Sequence, residues 1–219
     1  MTDAYLAPDF TRAALVTIDT QQDTLDGQPF EVPGTSAALP EMRRLTEAFR
    51  TAGRPIVHVV RLYRPDGSNV DPCRRRAVEE GARLVLAGSP GAQPAPGLLP
   101  PNAPRLDTPL LLAGGIQHVG LGEVVIYKPR WGAFFQTPLE AHLRALGVST
   151  LVFAGCNFPN CPRTSIYEAS ERDFRLVLVE DAVSGLYERG KDELRGIGVA
   201  LMNAAELTAS LLSSPAHAS

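Results

Sequence analysis

The sequence predicts an α/β fold: a three-layer αβα arrangement around a doubly wound, mainly parallel central sheet of about six strands. Three observations carry this expectation. Five short runs are continuously apolar and β-branched rather than alternating, as strands buried on both faces require. Segments with apolar residues at helical spacing lie between those runs, and such alternation folds with right-handed crossovers. The chain has 219 residues and is 44% hydrophobic, enough for one sizeable core. Residues 1–219 are therefore read as one domain.

The first strand is Ala14-Leu15-Val16-Thr17-Ile18. A helix over 37–52 follows, with Leu39, Met42, Leu45 and Phe49 on one stripe and Gly53 as its stop. Residues 55–60 form the second strand. The segment 88–122 contains seven prolines between Pro90 and Pro109 and reads as irregular. It is too long for a plain connection, which leaves a lid, a subunit contact or a surface loop. Val124-Val125-Ile126-Tyr127 is the third strand. Thr137-Pro138-Leu139-Glu140 reads as a capping box with Pro at the first helical position, and that helix ends at Gly147. Residues 150–154 are the fourth strand and 176–179 the fifth. Pro162 opens a helix that continues over 164–174, and residues 192–212 read as one long C-terminal helix.

Charge and composition exclude several classes. Lys and Arg number 21 against 24 Asp and Glu, a net charge of −3, so there is no electrostatic footprint for nucleic acid. No stretch approaches the roughly 18 apolar residues of a membrane span. Residues 1–10 carry Asp3 and Asp9 without an apolar run and do not read as a signal peptide. Three cysteines are an odd number for a disulfide scaffold, so a reducing, cytoplasmic setting is expected.

In open α/β sheets, ligands bind beyond the C-terminal ends of the strands. Asp19 follows the first strand, Lys128 the third, and Gly155-Cys156-Asn157-Phe158-Pro159-Asn160-Cys161-Pro162 the fourth. Cys161 would sit at a helix N-terminus, where the dipole favours a thiolate, and a nearby Lys128 would favour it further. Asp19 could take the thiol proton and later deliver it to a leaving group. The backbone N–H groups of Asn157 and Cys161 are candidate oxyanion donors. A buried, inert cysteine is the competing reading.

These blocks resemble a known family. Ile18-Asp19-Thr20-Gln21-Gln22-Asp23 resembles its D-x-Q-x-D strand end. The stretch from Lys128 through Phe134 and Thr137 to Leu139 resembles its K-x-x-x-x-x-F-x-x-T-x-L block. Gly155 to Cys161, with the later Asp181-Ala182, resembles its G-x-x-x-x-x-C segment and D-A pair. The family is the isochorismatase-like cysteine hydrolase superfamily, and the resemblance spans about residues 13–185. It implies an Asp–Lys–Cys triad of Asp19, Lys128 and Cys161, a cis peptide between Cys156 and Asn157, and homo-oligomers. It also implies hydrolysis of a non-peptide C–N bond of a small molecule through a thioester. Departures occur at Phe158, where the family usually has Thr and Pro159 stands next, and at Pro162, where it usually has Val. The D-x-H metal motif of nicotinamidases is absent from His58-Val59-Val60-Arg61-Leu62-Tyr63, so neither metal nor cofactor is expected. The alternatives are a vinyl ether hydrolase of the isochorismatase type, or a binding scaffold without catalysis.

Trp131, Phe158 and Gln21 are the candidate substrate-binding residues, with core packing as the bland reading for the two aromatics. Arg61, Arg64 and the run Arg74-Arg75-Arg76 either reach an anionic substrate group or form a solvated face. Cys73 reads as a surface cysteine. His58, His118, His142 and His217 are scattered without ligand spacing, although His118 in the Pro-rich segment could approach a substrate. Gly185 to Lys191 spells G-x-x-x-x-G-K, but Asp192 replaces the Ser or Thr a phosphate site needs, so it reads as a loop before the last helix.

Overall fold

The computed structural model describes residues 3–214; His217 lies outside them. The five expected strands form as β1 (Ala13–Ile18), β2 (Ile56–Val60), β4 (Glu123–Tyr127), β5 (Thr150–Gly155) and β6 (Arg175–Val183). Two more join them, β3 (Ile116–Gly120) and β7 (Ala200–Met202). The seven strands lie in the order β3-β4-β2-β1-β5-β6-β7. Every pairing is parallel except that of β3 with β4.

Both faces are covered, which is why the central strands read as unbroken apolar runs. On one face α1 (Thr35–Thr51) and α7 (Ala204–Ser213) pack Leu39, Met42, Leu45, Phe49, Leu207 and Leu211 against Leu15, Val152 and Val177. On the other, α4 (Leu139–Ala145), α5 (Cys161–Ser170) and α6 (Glu188–Gly196) bring Leu143, Ile166 and Leu194 against Val16, Phe153 and Leu178. Each such side chain stabilises the fold by about 1.5–3 kcal/mol of burial.

Three expectations are corrected. The C-terminal segment 192–212 is two helices with an edge strand between them: Gly198 has φ +82, so α6 stops and β7 returns to pair with β6. The Pro-rich segment contains the short α3 (Thr108–Leu112) and β3, which lines the sheet edge with alternating burial. Finally, α4 begins at Leu139 with Pro138 as its N-cap, because the Thr137 hydroxyl turns back to the Ala133 carbonyl at 2.6 Å. One helix lacked an expectation, α2 (Pro72–Glu79), opened by Asp71 and Pro72. No described helix is long and apolar enough to cross a membrane.

Candidate active site

The chain reverses direction across the sheet on either side of β1, whose neighbours are β2 and β5. The crevice beyond the carboxyl ends of these strands is where α/β sheets bind ligands. Asp19 leaves β1 with φ 49, a left-handed conformation that Asp tolerates better than most residues but that still costs about 1–3 kcal/mol. Its backbone is held from several sides. Its N–H donates to the Val59 carbonyl at 2.9 Å. Its carbonyl accepts the Cys156 thiol at 3.0 Å and the Thr24 hydroxyl at 3.1 Å. Gly155 permits the close approach at the end of β5: its φ is +120, and a Cβ there would lie 2.1 Å from the Ile18 carbonyl oxygen.

Asp19, Lys128 and Cys161 come together in this crevice. Lys128 Nζ lies 2.8 Å from Asp19 Oδ2 and 3.3 Å from Cys161 Sγ, and donates to the Arg130 carbonyl at 3.1 Å. The lysine is 1% exposed. Burial works against its charge, but the charge and hydrogen bond of the facing Asp19 carboxylate, together with the Cys161 sulfur, outweigh burial and raise its pKa. Asp19 Oδ1 is buried without a hydrogen-bond partner among the described residues. Cys161 is the first residue of α5, with Pro162 in the first turn, as the helix-opening reading anticipates.

The expected thiolate is not the resting form. Burial first, and then the negative charge of Asp19, push the Cys161 thiol well above the ordinary cysteine range, and Lys128 offsets only part of this. Desolvation wins because Cys161 is only 5% exposed. The Cys156–Asn157 peptide bond is cis. The backbone N–H groups of Asn157 and Cys161 donate to no acceptor among the described residues.

A narrow cavity of about 320 Å³, open mouth included, lies over the triad. Asp19, Cys156, Asn157 and Cys161 form its floor, with Phe30, Arg61 and Arg74 among its walls. Gln21 also lines it, yet both ends of its carboxamide are committed to main chain. Its nitrogen donates to the carbonyls of Arg61 and Ala92 at 2.9 and 2.7 Å, and its oxygen accepts the Arg61 N–H at 2.8 Å. Gln21 thus braces the site and has no carboxamide group spare for a ligand. Phe158 is fully buried beneath Tyr187, edge to face at 5.5 Å, and lies in the core. Trp131 is half-buried, with the Arg74 guanidinium 4.9 Å from its ring centre.

The arginines divide. Arg61 is buried and holds the site from behind, donating to the Lys128 carbonyl and to Asp71 Oδ2, each at 2.7 Å. Arg74 reaches the cavity, whereas Arg64, Arg75 and Arg76 are exposed and outside its lining. Cys73 is exposed. His58 sits inside the sheet, bound to Thr17 and Glu123. His118 is an exposed residue of the edge strand β3 and does not line the cavity. Lys191 is paired with Glu180 and Glu188. No group of three His, Cys, Asp or Glu side chains among the described residues could hold a metal ion. The wall residue Phe30, and Tyr63 and Asp71 that hold the arginines behind it, had no clear local signal. The start of α2 did have one, an Asp-Pro pair ahead of Cys73-Arg74.

Comparison with known proteins agrees with this geometry. The isochorismatase domain model matches residues 13–206. A probable inactive nicotinamidase of Arabidopsis thaliana is 29% identical over 182 residues, 82% of this chain and 84% of that protein. A maleamate amidohydrolase of Pseudomonas putida is 31% identical over 174 residues, 78% of this chain and 72% of that protein. Among solved structures, an isochorismatase family protein from Desulfovibrio vulgaris superposes with a TM-score of 0.78 at 32% identity, covering 92% of this chain and 98% of that one. An N-carbamoylsarcosine amidase from Thermoplasma acidophilum gives 0.69 at 26% identity, covering 88% and 96%. On the extent of the family match and the shared sheet, the chain belongs to the isochorismatase-like hydrolase family.

Proposed function

We propose that this protein is a cysteine hydrolase that cleaves a non-peptide C–N bond, in an amide, ureide or carbamoyl group of a small molecule. The observation that carries the reading is the contact set of Lys128, 2.8 Å from the Asp19 carboxylate and 3.3 Å from the Cys161 sulfur. The maleamate and carbamoylsarcosine names of two relatives point to the same bond class.

In this reading the neutral Cys161 thiol attacks the carbonyl carbon as Asp19 takes its proton. Oδ1 is the oxygen available, since Lys128 holds Oδ2. The developing oxyanion takes the N–H groups of Asn157 and Cys161, donors worth several kcal/mol when fixed in a dry site. Asp19 then returns the proton to the leaving nitrogen, and ammonia or an amine departs from a thioester. Water enters, gives a proton to Asp19 and attacks the thioester. The acid leaves, and the proton goes back to the sulfur. Lys128 keeps its charge throughout, orienting Asp19 and steadying the sulfur as negative charge develops there. The free thiols of Cys73, Cys156 and Cys161 suit a reducing compartment.

A non-catalytic role is the rival, given the name of the Arabidopsis relative. Ammonia release from short amides, ureides and carbamoyl compounds separates the two, with wild type and Cys161→Ala side by side. The expected result is turnover that falls by about 1,000-fold or more in the variant. Turnover that survives Cys161→Ala would remove the nucleophile assignment, and none in wild type would favour the binding role.

A further inference from the structure

The geometry points to Arg74 as a specificity-determining residue that grips a carboxylate on the substrate, so that the scissile group belongs to a short anionic molecule. This rests on the hydrolase reading and names the class of its substrate.

Arg74 stands on the first turns of α2 and lines the wall of the cavity whose floor carries Cys161. Its guanidinium is clamped between two aromatic rings, 4.4 Å from the centre of Phe30 and 4.9 Å from that of Trp131. Its Nη1 donates to the Tyr63 hydroxyl at 2.9 Å and lies 3.4 Å from Asp71 Oδ2. Its Nε and Nη2 have no partner among the described residues. The side chain is 21% exposed, which leaves those donors reachable from the cavity mouth.

A structural ion pair would not need this arrangement. Asp71 is already neutralised by Arg61 at 2.7 Å, and Tyr63 donates to it at 2.6 Å. Arg74 is therefore a surplus cation. Among the residues that line the cavity the charges are Arg61 and Arg74 against Asp19, one positive in excess. Arg74 and Cys161 line the same cavity. A molecule that carries both a scissile carbonyl and a carboxylate would engage Cys161 and Arg74 at once. A planar fork with an aromatic clamp pays little rotamer entropy on binding, and two free N–H donors match two carboxylate oxygens. The clamp also explains why Trp131 lies beside the cavity: it positions the guanidinium rather than the substrate.

The test compares acid with methyl ester for two scissile groups: succinamate and N-carbamoylglycine, each against its ester. Calorimetric binding to Cys161→Ala keeps the ligands intact. The acids are expected to bind at least about 30-fold more tightly than the esters. Adding Arg74→Gln brings that ratio near one, and Arg74→Lys retains part of it. Arg76→Gln, whose side chain is exposed and paired with Glu80, leaves the ratio as it was. In the active enzyme, Arg74→Gln raises KM for the acid far more than it lowers kcat. Equal binding of acid and ester, no binding of either, or a preference that survives Arg74→Gln overturns the assignment. Failure of the hydrolase reading shows elsewhere, as absence of ammonia release from all four compounds by wild type, with the binding ratio intact.

Discussion

Replacing Lys128 by methionine removes the positive charge at the centre of the site while keeping most of its volume. The ammonium is 1% exposed and contacts Asp19 Oδ2 at 2.8 Å, the Arg130 carbonyl at 3.1 Å and Cys161 Sγ at 3.3 Å. After substitution the Asp19 carboxylate faces a thioether, with its other oxygen already unpartnered. Stranding one charge of a buried pair costs about 3–5 kcal/mol, a large share of a total stability on the order of 5–15 kcal/mol. Lys128→Met is therefore expected to lose about that amount in urea unfolding at pH 7.5, followed by the fluorescence of the single tryptophan, Trp131. The double variant with Asp19→Asn should recover most of the loss, because no uncompensated charge then remains. A loss below about 1 kcal/mol, or a double variant no more stable than Lys128→Met, would refute the reasoning that this is one tightly coupled buried pair.

Two further predictions concern pH. Burial, and then the Asp19 charge, push the Cys156 thiol from its ordinary 9.0 up to about 12. The folded state thus holds a proton that the unfolded chain has released. The stabilisation is complete below pH 9 and is lost between pH 9 and 12, at about 1.4 kcal/mol per pH unit. Urea midpoints from pH 8 to 10.5 should fall more steeply for wild type than for Cys156→Ser, and parallel curves would contradict this. At the acid end, His58 is held below its ordinary value by burial, and its neutral ring bridges Thr17 Oγ1 and Glu123 Oε1, each at 2.8 Å. Burial raises Glu123, but hydrogen bonds from Arg50 and His58 outweigh it and hold the carboxyl below its usual 4.5. Both groups add stability above their unfolded values that is lost as pH falls, His58 from about 6.5 and Glu123 from about 4.5 downward. Glu123→Gln should lose about 2–3 kcal/mol at pH 7 in thermal melts, with the difference shrinking below pH 4.5. A constant difference down to pH 3 would argue against an ionised Glu123.

The strands that were legible in the sequence are those buried on both faces. β1 and β5 are apolar at nearly every position and carry their own signal. β3 was hidden because it is an edge strand with one exposed face, set among prolines. β7 is three half-buried residues next to Gly198, too short for any period to register. The proposed reacting residues were visible from their places along the chain: Asp19 and Lys128 directly follow strand ends, and Cys161 opens the helix after β5. Phe158 lies in the core, and Gln21 lines the cavity with its carboxamide committed to main chain, because proximity in sequence to the site does not say which way a side chain faces or what it binds.

The sequence by itself determined the layered sheet, the order of its main elements and the three residues at its carboxyl edge, because periodicity and strand ends are local properties. Only the tertiary structure decided the resting state of Cys161. The helix N-terminus and a nearby lysine favour a thiolate, yet burial and the Asp19 charge together exceed them. Only the tertiary structure also separated Arg61, buried against Asp71, from Arg74, whose guanidinium meets the rings of Phe30 and Trp131 from distant parts of the chain. Desolvation and charge surplus are sums over neighbours that the chain brings together by folding, so no segment of the sequence carries them.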